Sequence, residues 1–366
     1  MKREQAEKYM QMALNLARKG EGETSPNPMV GAIVVQNGRV VGQGYHSKAG
    51  GPHAEVVALR KAGKRARGAN LFVNLEPCCH YGKTPPCVDI ILQAGIKNIY
   101  VGMRDPNPLV LGKGLRVLRQ NGVKTETGIL REACVRLNET FVKYIVKKKP
   151  FVILKSAVSL DGKIATHKGE SKWITGESSR KRVHVLRNQV DAILVGAGTI
   201  LQDDPELTVR LRGRKRNNPA RIILDDDHRT KLSARVFQNA GRERVIYVSS
   251  TEPSFTRKKQ LRSMAVEVNV FGFCGEGIDW LRFLDSLARS GITSLLIEGG
   301  GQVNASALSA KVIDKVIFFI APILIGGASA PGAIGGEGTA SLFSASQLKN
   351  IFVTRVGDDV MVEGYL

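Results

Sequence analysis

Three short runs, Pro52-His53-Ala54-Glu55, Leu75-Glu76-Pro77-Cys78-Cys79-His80 and Pro85-Pro86-Cys87, carry the reading from which the rest of the chain follows. One imidazole and two thiolates are borderline-soft donors that suit zinc, and three protein ligands leave the fourth tetrahedral position open to water. Zinc brings the ionisation of such a water near neutral pH. A carboxylate two residues past the imidazole, Glu55, is placed to take that proton and return it to a leaving group. Cys79 abuts Cys78, so spacing alone does not separate the two thiols; the Pro-Cys dipeptide favours Cys78. A lone histidine or cysteine is more often plain core or surface. Four residue types in this order favour zinc.

Working outward, 53–62 reads as a helix presenting His53 and Glu55 in its first turn, where the helix dipole favours an anion. Before it, the apolar run 30–35, the turn Asn37-Gly38 and the strand 40–45 read as a hairpin. The run Thr24-Ser25-Pro26-Asn27-Pro28 precedes it as a loop. After it come a strand over 70–75, a helix over 88–94 and a strand over 98–102. Asp105-Pro106-Asn107-Pro108 is a rigid loop, followed by helices over 113–121 and 131–144 with a strand at 124–127 between them. A hairpin followed by alternating helix and strand predicts an α/β/α layer with both thiol- and imidazole-bearing helices on one face of the sheet.

Lys147-Lys148-Lys149-Pro150 is the sharpest shift in composition, which predicts two domains, 1–146 and 150–366. A second α/β pattern starts there. Strands read at 151–157, 192–195, 221–224, 245–248, 294–297, 316–320 and 360–362, with helices at 177–188 and 303–308. Glu298-Gly299-Gly300-Gly301-Gln302 links a strand to a helix N-terminus, one way to hold a pyrophosphate. It lacks the G-x-G-x-x-G fingerprint, so an ordinary glycine turn explains it as well.

The 366 residues suffice for two cores. Charge is +21, from 54 basic and 33 acidic residues, and 25 of the basic and 11 of the acidic ones fall within 1–150. That surplus suits nucleic acid, a phosphorylated small molecule or plain solvated surface, and does not decide among them. Five cysteines and an N-terminal amphipathic helix too charged for a signal peptide predict a reducing, cytoplasmic setting. No apolar run reaches membrane-spanning length.

His-x-Glu followed by Pro-Cys…Cys is the signature of zinc deaminases of bases and nucleosides, with Cys-x-x-Cys as its general spacing. Here eight residues separate Cys78 from Cys87, among them His80, Lys83 and Thr84. With both halves in view, the chain resembles the bifunctional bacterial riboflavin-biosynthesis deaminase–reductase family over essentially its whole length. The motifs are Thr24-Ser25-Pro26-Asn27-Pro28-Met29-Val30-Gly31, Gly51-Pro52-His53-Ala54-Glu55-Val56 and Leu75-Glu76-Pro77-Cys78-Cys79-His80-Tyr81-Gly82-Lys83-Thr84-Pro85-Pro86-Cys87. The second half adds Ser159-Leu160-Asp161-Gly162-Lys163, Gly169-Glu170-Ser171-Lys172-Trp173-Ile174-Thr175, Asp203-Asp204-Pro205 and Glu298-Gly299-Gly300. The eight-residue gap fits this family.

The resemblance implies a cytidine-deaminase-like α/β/α domain followed by a dihydrofolate-reductase-like α/β domain. It implies hydrolytic loss of the 2-amino group of 2,5-diamino-6-(5-phosphoribosylamino)pyrimidin-4-one, then NADPH reduction of the ribosyl chain to ribityl. Zinc falls to His53, Cys78 and Cys87, proton transfer to Glu55, and the pyrimidine ribotide to Asn27, His46, His80 and Lys83. In the second half Ser171, Arg187, Leu207, Arg210 and Glu298 surround the substrate. Ala157, Trp173, Thr199, Asp203, Gly300, Gly301, Gln302, Val303, Asn304, Ala305 and Ser306 face NADPH. Lys155 and Glu298 are candidates for proton transfer or ring opening. Without the resemblance, Arg187 and Arg210 suit a phosphate or an ion pair, Trp173 suits plain core and Asn27 suits a turn. The family's small hydroxyl after the strand 221–224 is replaced here by Asp225-Asp226-Asp227, acids that repel a 2′-phosphate. A homo-oligomer, dimer or tetramer, is implied, with no nucleic-acid or membrane partner. The rival readings are a nucleic-acid deaminase of the tRNA-adenosine type with an accessory domain, and a non-catalytic zinc scaffold. Glu55 counts against the scaffold, since structural zinc sites usually have four protein ligands.

Overall fold

The computed structural model describes residues 1–81, 85–211, 218–274 and 277–366. Lys83, one of the expected substrate contacts, lies outside the described residues. The chain divides into two compact units, Met1–Lys148 and Lys149–Leu366. No helix among the described residues is long and apolar enough to cross a membrane.

The first unit begins with α1 (Arg3–Ala17) and the hairpin β1 (Gly31–Gln36) and β2 (Arg39–Tyr45). Asn37 and Gly38 both take positive φ, as a two-residue type I′ connection requires. Then follow α2 (Ala54–Ala62), β3 (Asn70–Leu75), α3 (Cys87–Gln93), β4 (Asn98–Met103), α4 (Lys113–Gln120), β5 (Lys124–Thr127), α5 (Arg131–Leu137) and α6 (Glu139–Lys147). The sheet order is β2-β1-β3-β4-β5, with β1 antiparallel to both neighbours and β3, β4 and β5 parallel.

Two glycines show how helices come to cover both faces. A Cβ added at Gly31 would lie 2.0 Å from the Ala13 carbonyl oxygen of α1; one at Gly44 would lie 2.6 Å from the Ala54 carbonyl oxygen of α2. Gly44 pairs with Ala32, the residue after Gly31, so the two glycines point to opposite faces. Helices α1 and α2 therefore flank the sheet on opposite sides, and α3 packs beside α2. The core between them is apolar and closed, with Leu14, Ile33, Phe72 and Ile99 fully buried. Each such side chain contributes roughly 1.5–3 kcal/mol on leaving water.

One expected helix is two. The stretch 131–144 breaks at Asn138 (φ −112°, ψ 24°), between α5 and α6. The Asn138 carboxamide accepts from the Met29 N–H at 2.8 Å and donates to the Met29 carbonyl at 3.0 Å. The break thus places a side chain that satisfies both backbone groups of a loop residue two positions from Asn27.

The second unit runs β6 (Phe151–Ser159), α7 (Glu177–Gln189), β7 (Ala192–Gly196), α8 (Ala197–Asp203), β8 (Ala220–Leu224), β9 (Val245–Ser249), α9 (Phe255–Ser263), β10 (Glu267–Val270) and α10 (Trp280–Arg289). It closes with β11 (Ser294–Ile297), α11 (Gly301–Ser309), β12 (Lys315–Ala321), β13 (Lys349–Val356) and β14 (Asp359–Tyr365). Its sheet order is β10-β9-β8-β7-β11-β6-β12-β14-β13, parallel except where β14 pairs antiparallel with β12 and β13. Alternate residues feed two cores. Ile153, Ile193, Ile223 and Tyr247 pack on one side; Leu154, Leu194, Ile222 and Ile246 pack on the other. A parallel sheet buried on both faces needs such unbroken apolar strands.

Candidate functional site

His53 is the N-cap of α2, Cys87 is the first residue of α3, and Cys78 follows β3. Three elements converge, and the candidate ligand atoms of His53, Cys78 and Cys87 lie within 4.8 Å of one another. The Nδ1 of His53 is 3.1 Å from the Cys87 sulfur and 3.5 Å from the Cys78 sulfur. The Cys87 backbone N–H donates to the Cys78 sulfur at 3.3 Å. The Cys78 thiol is drawn down to about 4, first by its hydrogen bond with Cys87. Cys87 is pushed up by the same bond and by burial. One imidazole and two sulfurs, one already acidic, form a donor set that fits zinc. Cys78, not its neighbour Cys79, belongs to the group.

Glu55, in the first turn of α2, is buried, and burial raises its carboxyl above the usual range. A carboxyl so placed exchanges protons closer to neutral pH than an exposed one. A cavity of about 390 Å³ opens beside these residues, and Asn27, His46, His53, Glu55, Cys78 and His80 all line it. The Asn27 amide donates to His46 Nε2 at 3.2 Å, so the His46 Nδ1 carries the proton that reaches the Pro52 carbonyl at 3.1 Å. Burial lowers the His46 pKa, which disfavours the charged ring. The His80 Nδ1 is buried with no hydrogen-bond partner among the described residues, a polar atom for a bound molecule to satisfy.

The same cavity is lined by Asp105 and Asn107, two polar residues of the rigid Asp105-Pro106-Asn107-Pro108 loop that are not among the expected site residues. Asp105 accepts from the Asn107 N–H at 2.8 Å, and burial, then Glu76, pushes its carboxyl up to about 6. Glu76 is itself consumed by the backbone, accepting from Asp105, Gly112 and Leu115.

In the second unit, Glu298 follows β11 and lies against Lys155 of β6, on the adjacent strand, and Arg187 of α7. Arg187 grips it with two bonds, Nε to Oε1 at 2.7 Å and Nη2 to Oε2 at 2.9 Å; the Lys155 Nζ is 3.7 Å from Oε2. Burial alone would raise the Glu298 carboxyl, but Arg187 and then Lys155 outweigh it and hold it down to about 2. Burial lowers the Lys155 pKa against the pull of Glu298. Leu207 is buried, and Arg210 is exposed and paired with Glu206 at 3.0 Å.

A cavity of about 460 Å³ lies at the C-terminal ends of β7, β8 and β11, lined by Ser171, Thr199, Asp203, Gly300, Gly301 and Gln302 and also by Val303 and Ser306. Ser171 donates to Asp203 at 2.6 Å. The N-caps of α8 and α11 are Gly196 and Gly300, and neither helix start is capped by a side chain. Uncapped amides at two neighbouring helix starts fit the phosphates of a dinucleotide. Four expected cofactor contacts do not line this cavity. Ala157 lies in β6, and Trp173 is 68% exposed beneath the Arg180 guanidinium. Asn304 turns inward to donate to the Ala333 carbonyl at 2.7 Å, and Ala305, the next residue of α11, is not among the lining residues. A helix advances about 100° per residue, so a continuous run cannot all face one cavity.

Comparison with known proteins covers both halves. Residues 3–103 match the cytidine and deoxycytidylate deaminase zinc-binding region, and residues 150–362 match the RibD C-terminal domain. The riboflavin biosynthesis protein RibD of Actinobacillus pleuropneumoniae is 43% identical over 355 residues, 97% of this chain and 94% of that protein. A solved Thermotoga maritima diaminohydroxyphosphoribosylaminopyrimidine deaminase/5-amino-6-(5-phosphoribosylamino)uracil reductase is 39% identical, with TM-score 0.87 and 99% of both chains covered. A solved Acinetobacter baumannii RibD is 34% identical, with TM-score 0.88 and 100% of this chain and 99% of that one covered.

Proposed function

The chain belongs to the RibD family of riboflavin-biosynthesis proteins, and from that membership we propose how its two units divide the work. It is a bifunctional enzyme, a zinc-dependent pyrimidine deaminase and an NADPH-dependent reductase. The first unit removes the 2-amino group of 2,5-diamino-6-(5-phosphoribosylamino)pyrimidin-4-one, and the second reduces the ribosyl chain of the product to ribityl.

In the first unit His53, Cys78 and Cys87 hold zinc, which supplies Lewis-acid activation of water near neutral pH. Glu55 takes a proton from the attacking water and delivers it to the departing amine, a task its burial-raised carboxyl suits. Asn27, His46 and His80 hold the pyrimidine ring; Asn27 and His46 are already ordered by their mutual bond. Asp105 offers the same cavity a further hydrogen-bonding carboxyl.

In the second unit the bound NADPH supplies a hydride. Arg187 and Lys155 fix Glu298 at the end of β11, and Lys155, lowered by burial, is the group placed to move a proton at the opened ribose. Of the two arginines expected at the substrate phosphate, Arg187 spends its fork on Glu298, which leaves the exposed Arg210, now paired with Glu206, as the cation for that phosphate. Assembly is proposed to run through this unit. Its edge strand β13 leaves Ile351, Phe352 and Val353 exposed. None of the five cysteines is joined in a disulfide, which suits a cytoplasmic setting.

The observation that carries the reading is the convergence of His53, Cys78 and Cys87 on one point beside the buried Glu55. Zinc content of single cysteine variants tests it. Cys78→Ser and Cys87→Ser lose zinc and ammonia release, whereas Cys79→Ser keeps both; loss on Cys79→Ser with retention on Cys78→Ser would contradict the ligand set.

A further inference from the structure

Resting on the second unit as an NADPH reductase, we propose that Arg229 reads the 2′-phosphate of the cofactor and that Asp227 tempers that contact. In open parallel sheets a dinucleotide lies across the strand ends. Its pyrophosphate sits at a glycine-flanked helix start, and its adenosine ribose sits over the end of a neighbouring strand. There an acid receives a 2′-hydroxyl, or an arginine accommodates a 2′-phosphate. In this chain the uncapped start of α11 supplies the first position. The residues after β8 line the same cavity and supply the second.

Those residues begin with three acids, and the structure shows that they differ. Asp225 is buried, and its carboxylate is spoken for: it accepts from the N–H groups of Arg229 and Thr230 at 2.9 Å each, from the Thr230 and Tyr247 hydroxyls, and pairs with Arg257 at 3.3 Å. Asp226 accepts from the Ser250 N–H at 2.6 Å. Asp227 is exposed and, among the described residues, pairs with the Arg229 guanidinium at 3.1 Å. The repulsion expected of three acids is thereby reduced, because Asp225 is neutralised from within.

Arg229 is the one cation among the described residues that line the cavity. Asp225 anchors its backbone N–H, which fixes the root of the side chain while the guanidinium remains exposed at the cavity mouth. A guanidinium presents a planar fork that matches a phosphate with two bonds. On the described lining Arg229 is the cation available to a 2′-phosphate, and Asp227 competes for it.

The test uses the full-length protein and dissociation constants for NADPH and NADH from nucleotide fluorescence, with 2′-AMP and 5′-AMP as competitors. Loss of a charged phosphate contact by Arg229→Gln weakens NADPH and 2′-AMP by about tenfold or more, with NADH and 5′-AMP within about twofold. Arg229→Lys retains part of the preference, and Asp227→Asn tightens NADPH by roughly two- to fivefold without tightening NADH, as removal of one exposed counter-charge should. Equal loss for both dinucleotides in Arg229→Gln, or no loss, overturns the proposal. A wild-type chain that binds neither dinucleotide overturns the reductase reading, and the proposal with it.

Discussion

Asp105 carries a burial penalty that a titration can read. Its carboxyl is pushed up to about 6, above the unfolded value, so the folded state holds its proton longer than the unfolded chain does. This residue therefore costs nothing below the unfolded value, and its cost grows as pH rises and is complete above about 6. A carboxyl held about two pH units above its ordinary range costs on the order of 3 kcal/mol once it is ionised. Asp105→Asn, whose amide oxygen can still accept from Asn107, should raise the apparent Tm of the first unit at pH 8 more than at pH 4. An equal change at both pH values would contradict the assignment. At this scale the chemistry-bearing side chains were legible because metal ligation and proton transfer demand particular residue types in a particular order. Asp105 and Asn107 were not, since an Asp-Pro-Asn-Pro loop reads alike whether it faces a cavity or solvent. Trp173 went the other way: its size suggests core, yet it is exposed beneath Arg180.

Between β2 and α2 the backbone itself sets the site. Cβ atoms at Gly42 and Gly44 would lie 2.2 Å and 2.6 Å from the carbonyl oxygens of Ala58 and Ala54, so the helix carrying His53 and Glu55 rests directly on the strand. Gly44→Ala should therefore displace the first turn of α2, destabilising the unit by roughly 1–3 kcal/mol as other overpacked cores do and weakening zinc retention against a chelator. Unchanged melting and zinc retention would show that this contact does not position the site. The apolar strands were readable from the sequence, as was the Asn37-Gly38 hairpin, because burial on two faces and a two-residue turn leave strong local marks. The helix break at Asn138 was not, because its cause is a pair of bonds to Met29, 109 residues away. Helix α8 was not legible because it is short and starts among glycines, which are poor helix formers, and β13 was not because most of its residues are exposed.

Across the whole chain, the two halves match one family in order and nearly end to end, which a tRNA-type deaminase with an accessory domain does not explain. The basic surplus then needs no nucleic acid, since a phosphorylated substrate and a dinucleotide are both anionic. The order of the two units also fits consecutive steps on one molecule, the product of the first being the substrate of the second. The most direct test of the account is ammonia release by Glu55→Gln from the diaminopyrimidine ribotide, with zinc measured in the same sample. The account predicts wild-type zinc content and ammonia release lowered by ~100-fold or more, the scale of a lost general acid–base group. Ammonia release near the wild-type rate from the zinc-loaded variant would contradict it.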